Sequence, residues 1–308
     1  MKIRLNPIVK KDLKVTVRSM RMSWGLFAYE AALTMAFLLA LLIIQVESRY
    51  TYNGNIYSSL VYLFPVVAAA QVCIVALYMP IITATSISGE KERQTFDIMM
   101  TTCMSPFSIV FGKVLSAVLR ILFYVAASTP IMALSFVVGG LSWSYLFYYL
   151  LAIIVFSMFA GSIGILSSAL CRKSVAAVLL SFVLYFIFYM MTFIPLIIYA
   201  IFGYSIYGQE HYGESMLLLL VNPVVFFEEF FMQIMTGVSI FGMEGGTFSY
   251  YQDEVGLLTY TLAHGKIWMF VSAGCILLMS FLFMAMAAWK INPLHSRSGR
   301  RRGKKRTE

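Results

Sequence analysis

From Ser88 to Pro106 the chain reads Ser-Gly-Glu-Lys-Glu-Arg-Gln-Thr-Phe-Asp-Ile-Met-Met-Thr-Thr-Cys-Met-Ser-Pro, and five of the eight residues from Glu90 to Asp97 are charged. No charge lies between Tyr50 and Gly89, and only Lys113 and Arg120 follow before Arg172. Acids and bases this dense between long apolar runs must face water at one side of a bilayer. Their chemistry is that of charge-assisted contacts to a partner rather than of bond making. The segment also has a helical pattern. Ser88 suits an N-cap, and Glu90 and Glu92 fall in a first turn where a helix dipole favours negative charge. Phe96, Met99, Met100 and Cys103 recur at i, i+3, i+4 and i+7, one apolar stripe, and Pro106 is a stop. The spacing predicts a short amphipathic helix over 88–106. The plain alternative is a solvated loop.

The remaining chemistry-bearing residues are scattered. His211 and His264 fall in a long loop and His295 in the tail, so no histidine faces an acid within an apolar run. Cys73, Cys103, Cys171 and Cys275 form no Cys-x-x-Cys and read as buried small hydrophobes, with no metal or disulfide implied. No cofactor is expected.

What must position the knot is a membrane-embedded body. The chain is 60% hydrophobic and 12% charged, where a soluble domain carries about 25%. Residues 1–22 hold seven Lys or Arg against Asp12, and the tail from Lys290 holds eight against Glu308. The loop 203–265 holds seven acids and no Lys or Arg. Positive charge marks the cytoplasmic side, so both termini are expected inside and the acidic loop outside.

A crossing needs about 20 apolar residues. The spans predicted are 24–46, 60–84, 112–138, 144–170, 175–201 and 267–289, with a break at Gly139-Gly140-Leu-Ser-Trp143. The fold class is an all-α integral membrane protein with six transmembrane helices over 23–290. Residues 1–22 read as an amphipathic helix on the inner leaflet, or else as a disordered basic arm. The run from Trp24 to Val46 is too long, and lacks a cleavage site, for a signal peptide. In the outer loop, Met216–Val221 and Val224–Met235 are apolar but too short to cross, and Asn222-Pro223 hinges them. They are either re-entrant helices or helices flat on the outer face. Gly161-Ser-Ile-Gly164 puts two small residues on one helix face, suited to close packing. The tail 291–308, with Arg300-Arg-Arg-Gly-Lys-Lys-Arg306, reads as attraction to anionic lipid rather than to nucleic acid. Lys113 and Arg172-Lys173 read as interface anchors.

Two charges stand apart. Glu30 and Arg120 lie at similar depth inside the first and third spans, where a charge costs about 2.5–3.5 kcal/mol on insertion scales. They are expected to pair, tying the spans together, or else to snorkel separately.

In these residues and their order, the chain resembles a type-2 ABC transporter permease, the membrane subunit of an ATP-driven exporter. The Asn6-Pro7-Ile-Val-Lys-Lys-Asp-Leu opening resembles that family's interface helix. Gly89-Glu90-Lys-Glu-Arg93-Gln-Thr95-Phe-Asp-Ile-Met-Met-Thr-Thr resembles its cytoplasmic coupling helix, and Val110-Phe-Gly112-Lys113 the start of its third span. The Asn-Pro-hinged pair resembles its re-entrant element. The resemblance implies a pair of permeases, identical or paralogous, over separate ABC ATPase subunits in a bacterial plasma membrane. It implies that Glu90, Glu92 and Arg93 make polar contacts to the ATPase, that Phe96 and Met99 anchor the face, and that Thr95 supports the helix start. The chain has no Gly-x-x-x-x-Gly-Lys-Ser/Thr phosphate loop, so it is not expected to be an enzyme. A secondary transporter without an ATPase is the main alternative. It would want ionisable residues deep in several spans, and only Glu30 and Arg120 qualify.

Overall fold

The computed structural model describes residues 7–17, 19–50, 60–96, 105–207, 214–235, 237 and 267–292. Its described residues form helices and no strands. The α-helices are α1 (Pro7–Val17), α2 (Met20–Tyr50), α3 (Leu63–Glu92), α4 (Pro106–Ala127), α5 (Thr129–Val138), α6 (Trp143–Leu170), α7 (Ser174–Tyr207), α8 (Pro223–Met235) and α9 (Ile267–Ile291), and a 3-10 helix, Glu214–Val221, precedes α8. Six of them, α2, α3, α4, α6, α7 and α9, are long and apolar enough to cross a bilayer.

Local chemistry explains the boundaries. Pro7 opens α1, where its missing N–H costs nothing. Ser19 opens α2, its Oγ accepting the N–H of Met22. The basic opening is therefore two helices rather than one over 1–22. In α1 Val9 is fully buried while Lys10, Lys11 and Lys14 are exposed, and Asp12 accepts a hydrogen bond from Ser116 of α4. The expected span 112–138 is also two helices. Pro130 has no N–H to continue the ladder, and the chain breaks at Ser128. Gly140 then turns the chain at φ +65° into α6.

The core is built on α6, in which every residue from Phe159 to Ala169 is buried. It packs most closely on α3. A Cβ added at Gly161 would meet Met79, and one at Gly164 would meet Thr83 and the Pro80 carbonyl. By contrast α2, α7 and α9 leave Leu38, Leu42, Leu179, Phe186, Phe270 and Leu278 exposed, an outer surface fit for lipid.

The break in the third span serves a polar cluster that the sequence reading left out. Gln71 is fully buried on α3. Its Nε2 donates to Tyr29 OH at 2.6 Å and to Ser128 Oγ at 3.1 Å. Its Oε1 accepts from Tyr149 OH at 3.1 Å. One side chain thereby links α2, the α4–α5 break and α6. Gln71→Met keeps the volume and removes three hydrogen bonds of the cluster, leaving Tyr149 on Ala68 O, Ser128 on Val125 O and Tyr29 on Ser128, so it should lower stability by about 1–2 kcal/mol. The thermal midpoint of the solubilised protein measures this. An unchanged midpoint would mean that the cluster contributes nothing.

The 3-10 helix and α8 meet at Asn222, which is fully buried. Its Oδ1 accepts the N–H of Val224 and so caps α8, with Pro223 as the first helical residue. Its Nδ2 donates to Thr192 of α7 at 2.7 Å, and Ser272 of α9 donates to the Leu220 carbonyl. Glu229, fully buried, accepts from Gln233 one turn on.

Candidate functional site

The charged knot sits at the end of α3. Ser88, Gly89, Glu90, Lys91 and Glu92 continue that helix rather than starting a new one. Ser88 is fully buried and donates its hydroxyl to Ala84 O, so it caps nothing. Pro106 opens α4 behind the N-cap Ser105, whose Oγ accepts the N–H of Ser108. Both corrections have one physical source. A serine before acids suits a cap, but the apolar run behind it already propagates a helix, and a proline fits a first turn as well as a stop.

The helix ends in a Schellman-type turn. Gln94 takes φ +59°, its N–H donates to Lys91 O, and the Thr95 N–H donates back to Glu90 O at 3.0 Å. Thr95 Oγ1 reaches the same carbonyl. Thr95 thus closes the end of α3. Asp97, Met99, Met100 and Cys103 lie outside the described residues.

Three consecutive side chains then reach three different helices. Glu90 Oε1 accepts from Lys113 Nζ of α4 at 2.7 Å, and Lys113 also donates to Ser86 O at 3.0 Å. Lys113, expected as an interface anchor, is only 7% exposed and is an internal ion-pair partner. Lys91 Nζ donates to the carbonyls of Ser168, Ala169 and Cys171 at 3.2, 2.6 and 3.2 Å. These lie at the C-terminus of α6, where carbonyls lack helical partners and the dipole favours a cation. Glu92 Oε2 accepts from Ser174 Oγ at 2.7 Å and from Ser174 N at 3.3 Å, at the positive start of α7. The Lys91 ammonium also stands 5.7 Å from the Phe96 ring, and Phe96 is half-buried against the core. Arg93 and Thr95 are exposed. Thr85, Ser86, Gly89, Glu90, Glu92, Arg93, Thr95 and Ser174 line an open groove of about 670 Å³.

Six apolar spans are what the resemblance implied, and the sequence comparison decides the family. A sequence model of the ABC-2 family transporter protein matches residues 6–291. The chain belongs to that family. No curated protein matches it. It is a multi-pass membrane permease of an ABC transporter, and members of the family are membrane subunits that work with ABC ATPase subunits.

The other expected pair of this ABC-2 permease is not joined. The ion pair among the described residues is Lys113–Glu90, and Glu30 and Arg120 do not form one with each other. Glu30 is half-exposed on α2, where its carbonyl accepts from Thr34 Oγ1, and Arg120 is half-buried on α4. Equal depth along two helices says nothing of the direction in which each side chain leaves its axis. Among the described residues no group of three His, Cys, Asp or Glu is placed to hold a metal.

Proposed function

We propose that this permease is the membrane half of an ATP-driven exporter, with a soluble ATPase docked at the end of α3 and a second permease, identical or paralogous, completing the path. The carrying observation is the groove beside the closed end of α3. It presents exposed Glu92, Arg93 and Thr95 side by side. Arg93, Thr95, the open edge of Phe96, and Met99 form the docking face. Glu92, held from behind by Ser174, offers it an outer carboxylate edge, and Glu90, tied to Lys113, lines the groove wall. In this reading residues 1–22 lie on the inner leaflet, 23–290 form the permease body and 291–308 attract anionic lipid of a bacterial plasma membrane. Both ends are cytoplasmic.

Copurification of the ATPase with the permease tests the docking face. Arg93→Ala and Phe96→Ala should leave the permease inserted and shed the ATPase. Loss of a buried anchor of about 2 kcal/mol corresponds to roughly 30-fold weaker binding for Phe96→Ala. Wild-type copurification in both variants would remove this face from the contact. Orientation has its own test. In a variant lacking other cysteines, Ser249→Cys should react with an impermeant thiol reagent on sealed cells and Ser298→Cys should not. The reverse pattern would invert the topology.

A further inference from the structure

We infer that Lys91 is a positioning residue that makes the ends of α3, α6 and α7 one rigid block, so that force applied at the ATPase groove moves three helices together; this rests on the ATPase reading above. The connection between α6 and α7 is only Cys171-Arg172-Lys173. Consecutive residues of α3 grip both of its ends, each with the charge that the helix terminus favours: Lys91 on the negative end of α6, Glu92 on the positive end of α7. Lys91 is saturated in this role, because an ammonium has three donors and all three reach carbonyls at that terminus. Ser168 supports the same junction. Its Oγ accepts the N–H groups of Ile87 and Ser88 at 2.9 and 2.8 Å. A terminus stitched this way has no slack, whereas a free three-residue turn would let α3 move alone.

The structure also provides a substitute tie. A Cβ at Gly89 would lie 3.6 Å from Ser174 Oγ, the atom whose place a cysteine sulfur at 174 would take, so cysteines at the two positions face each other. A disulfide between Gly89→Cys and Ser174→Cys would fasten α3 to α7 without Lys91, covalently in place of the Ser174 hydroxyl bond to Glu92 that the substitution removes.

The experiment uses the full-length permease in lipid nanodiscs with the ATPase that copurifies with it. Its readout is the change in ATP hydrolysis that the permease imposes on that ATPase. Lys91→Met keeps the stem and removes the three donors. It should retain the ATPase at the wild-type level while its effect on hydrolysis falls by about fivefold or more, the lower range of an allosteric coupling. Lys91→Arg should preserve the effect. Amide exchange over 172–177 should quicken by about tenfold in Lys91→Met, as local opening does, with 107–118 unchanged. Adding Gly89→Cys and Ser174→Cys, in a background without Cys73, Cys103, Cys171 and Cys275, should restore coupling when oxidised and lose it on reduction. Wild-type coupling in Lys91→Met overturns the inference, as does a formed disulfide that restores nothing. Loss of the ATPase from Lys91→Met would make Lys91 a docking contact, which also overturns it. A wild-type permease that carries no ATPase would sink the underlying reading, and the inference with it.

Discussion

Glu90→Ala is expected to destabilise the permease by about 3 kcal/mol, and Lys113→Met by about 1 kcal/mol or less, although the two residues form one ion pair. The asymmetry follows from where the two charges sit. Lys113 is 7% exposed, and its ammonium has Glu90 and the Ser86 carbonyl as acceptors. Removing Glu90 leaves a buried cation with a single neutral partner. The Glu90 side chain is 31% exposed and borders the groove, so once Lys113 is gone it can turn its carboxylate into water. Methionine also keeps most of the volume of the lysine stem. The double variant Glu90→Ala/Lys113→Met should therefore resemble Lys113→Met alone and be more stable than Glu90→Ala. Denaturant or thermal unfolding in detergent measures all three. Equal single losses that add in the double variant would show that the pair is not coupled.

The same pair shows where the sequence stops being informative. Six apolar runs, the turn at Gly139-Gly140 and the Asn222-Pro223 hinge were legible because length, composition and punctuating residues act locally. Asn222 even carries its own signal, an amide directly before a proline, and it caps α8. Partner choice was not legible. Lys113 and Glu90 are 23 positions apart, and Lys91 meets Ala169 across 78. Depth along the membrane normal suggested Glu30 with Arg120, yet depth fixes one coordinate of three. The start of the charged knot was expected to open a helix of its own, whereas Ser88 to Glu92 continue α3. Serine before two acids fits a new N-terminus. What decided otherwise was an upstream helix long enough to run on to Glu92 and a terminus of α7 ready to hold that carboxylate. Gln71 was detectable in principle, as the one carboxamide between Leu60 and Ser88. A polar residue in such a run has to find partners, and Tyr29, Ser128 and Tyr149 are distributed over the whole first half of the chain.

Among the described glycines, Gly164 sits closest to a neighbouring helix, and it gives the other large effect. Gly164→Ala should cost about 2–3 kcal/mol, far more than one methyl group ordinarily costs at a helix interface. The added Cβ would overlap Thr83 Oγ1 and come 3.0 Å from the Pro80 carbonyl oxygen. Thr83 has little room to turn away, because it is buried and its hydroxyl donates to Met79 O at 2.9 Å. The carbonyl is backbone and moves only with α3. Gly161→Ala is the internal control. Its Cβ would come 2.8 Å from Met79 Cε, the free end of a flexible side chain, so it should cost about 1 kcal/mol or less. Thr83→Ala in the Gly164→Ala background should recover part of the loss by removing the first overlap, while the Pro80 carbonyl limits the recovery. The damage should also travel. Forcing α3 off α6 draws Lys91 away from the Ser168 and Ala169 carbonyls, so Gly164→Ala should weaken ATPase coupling together with stability, and Thr83→Ala should restore both in proportion. Equal costs for the two glycines would mean that these helices pack no closer than an ordinary pair.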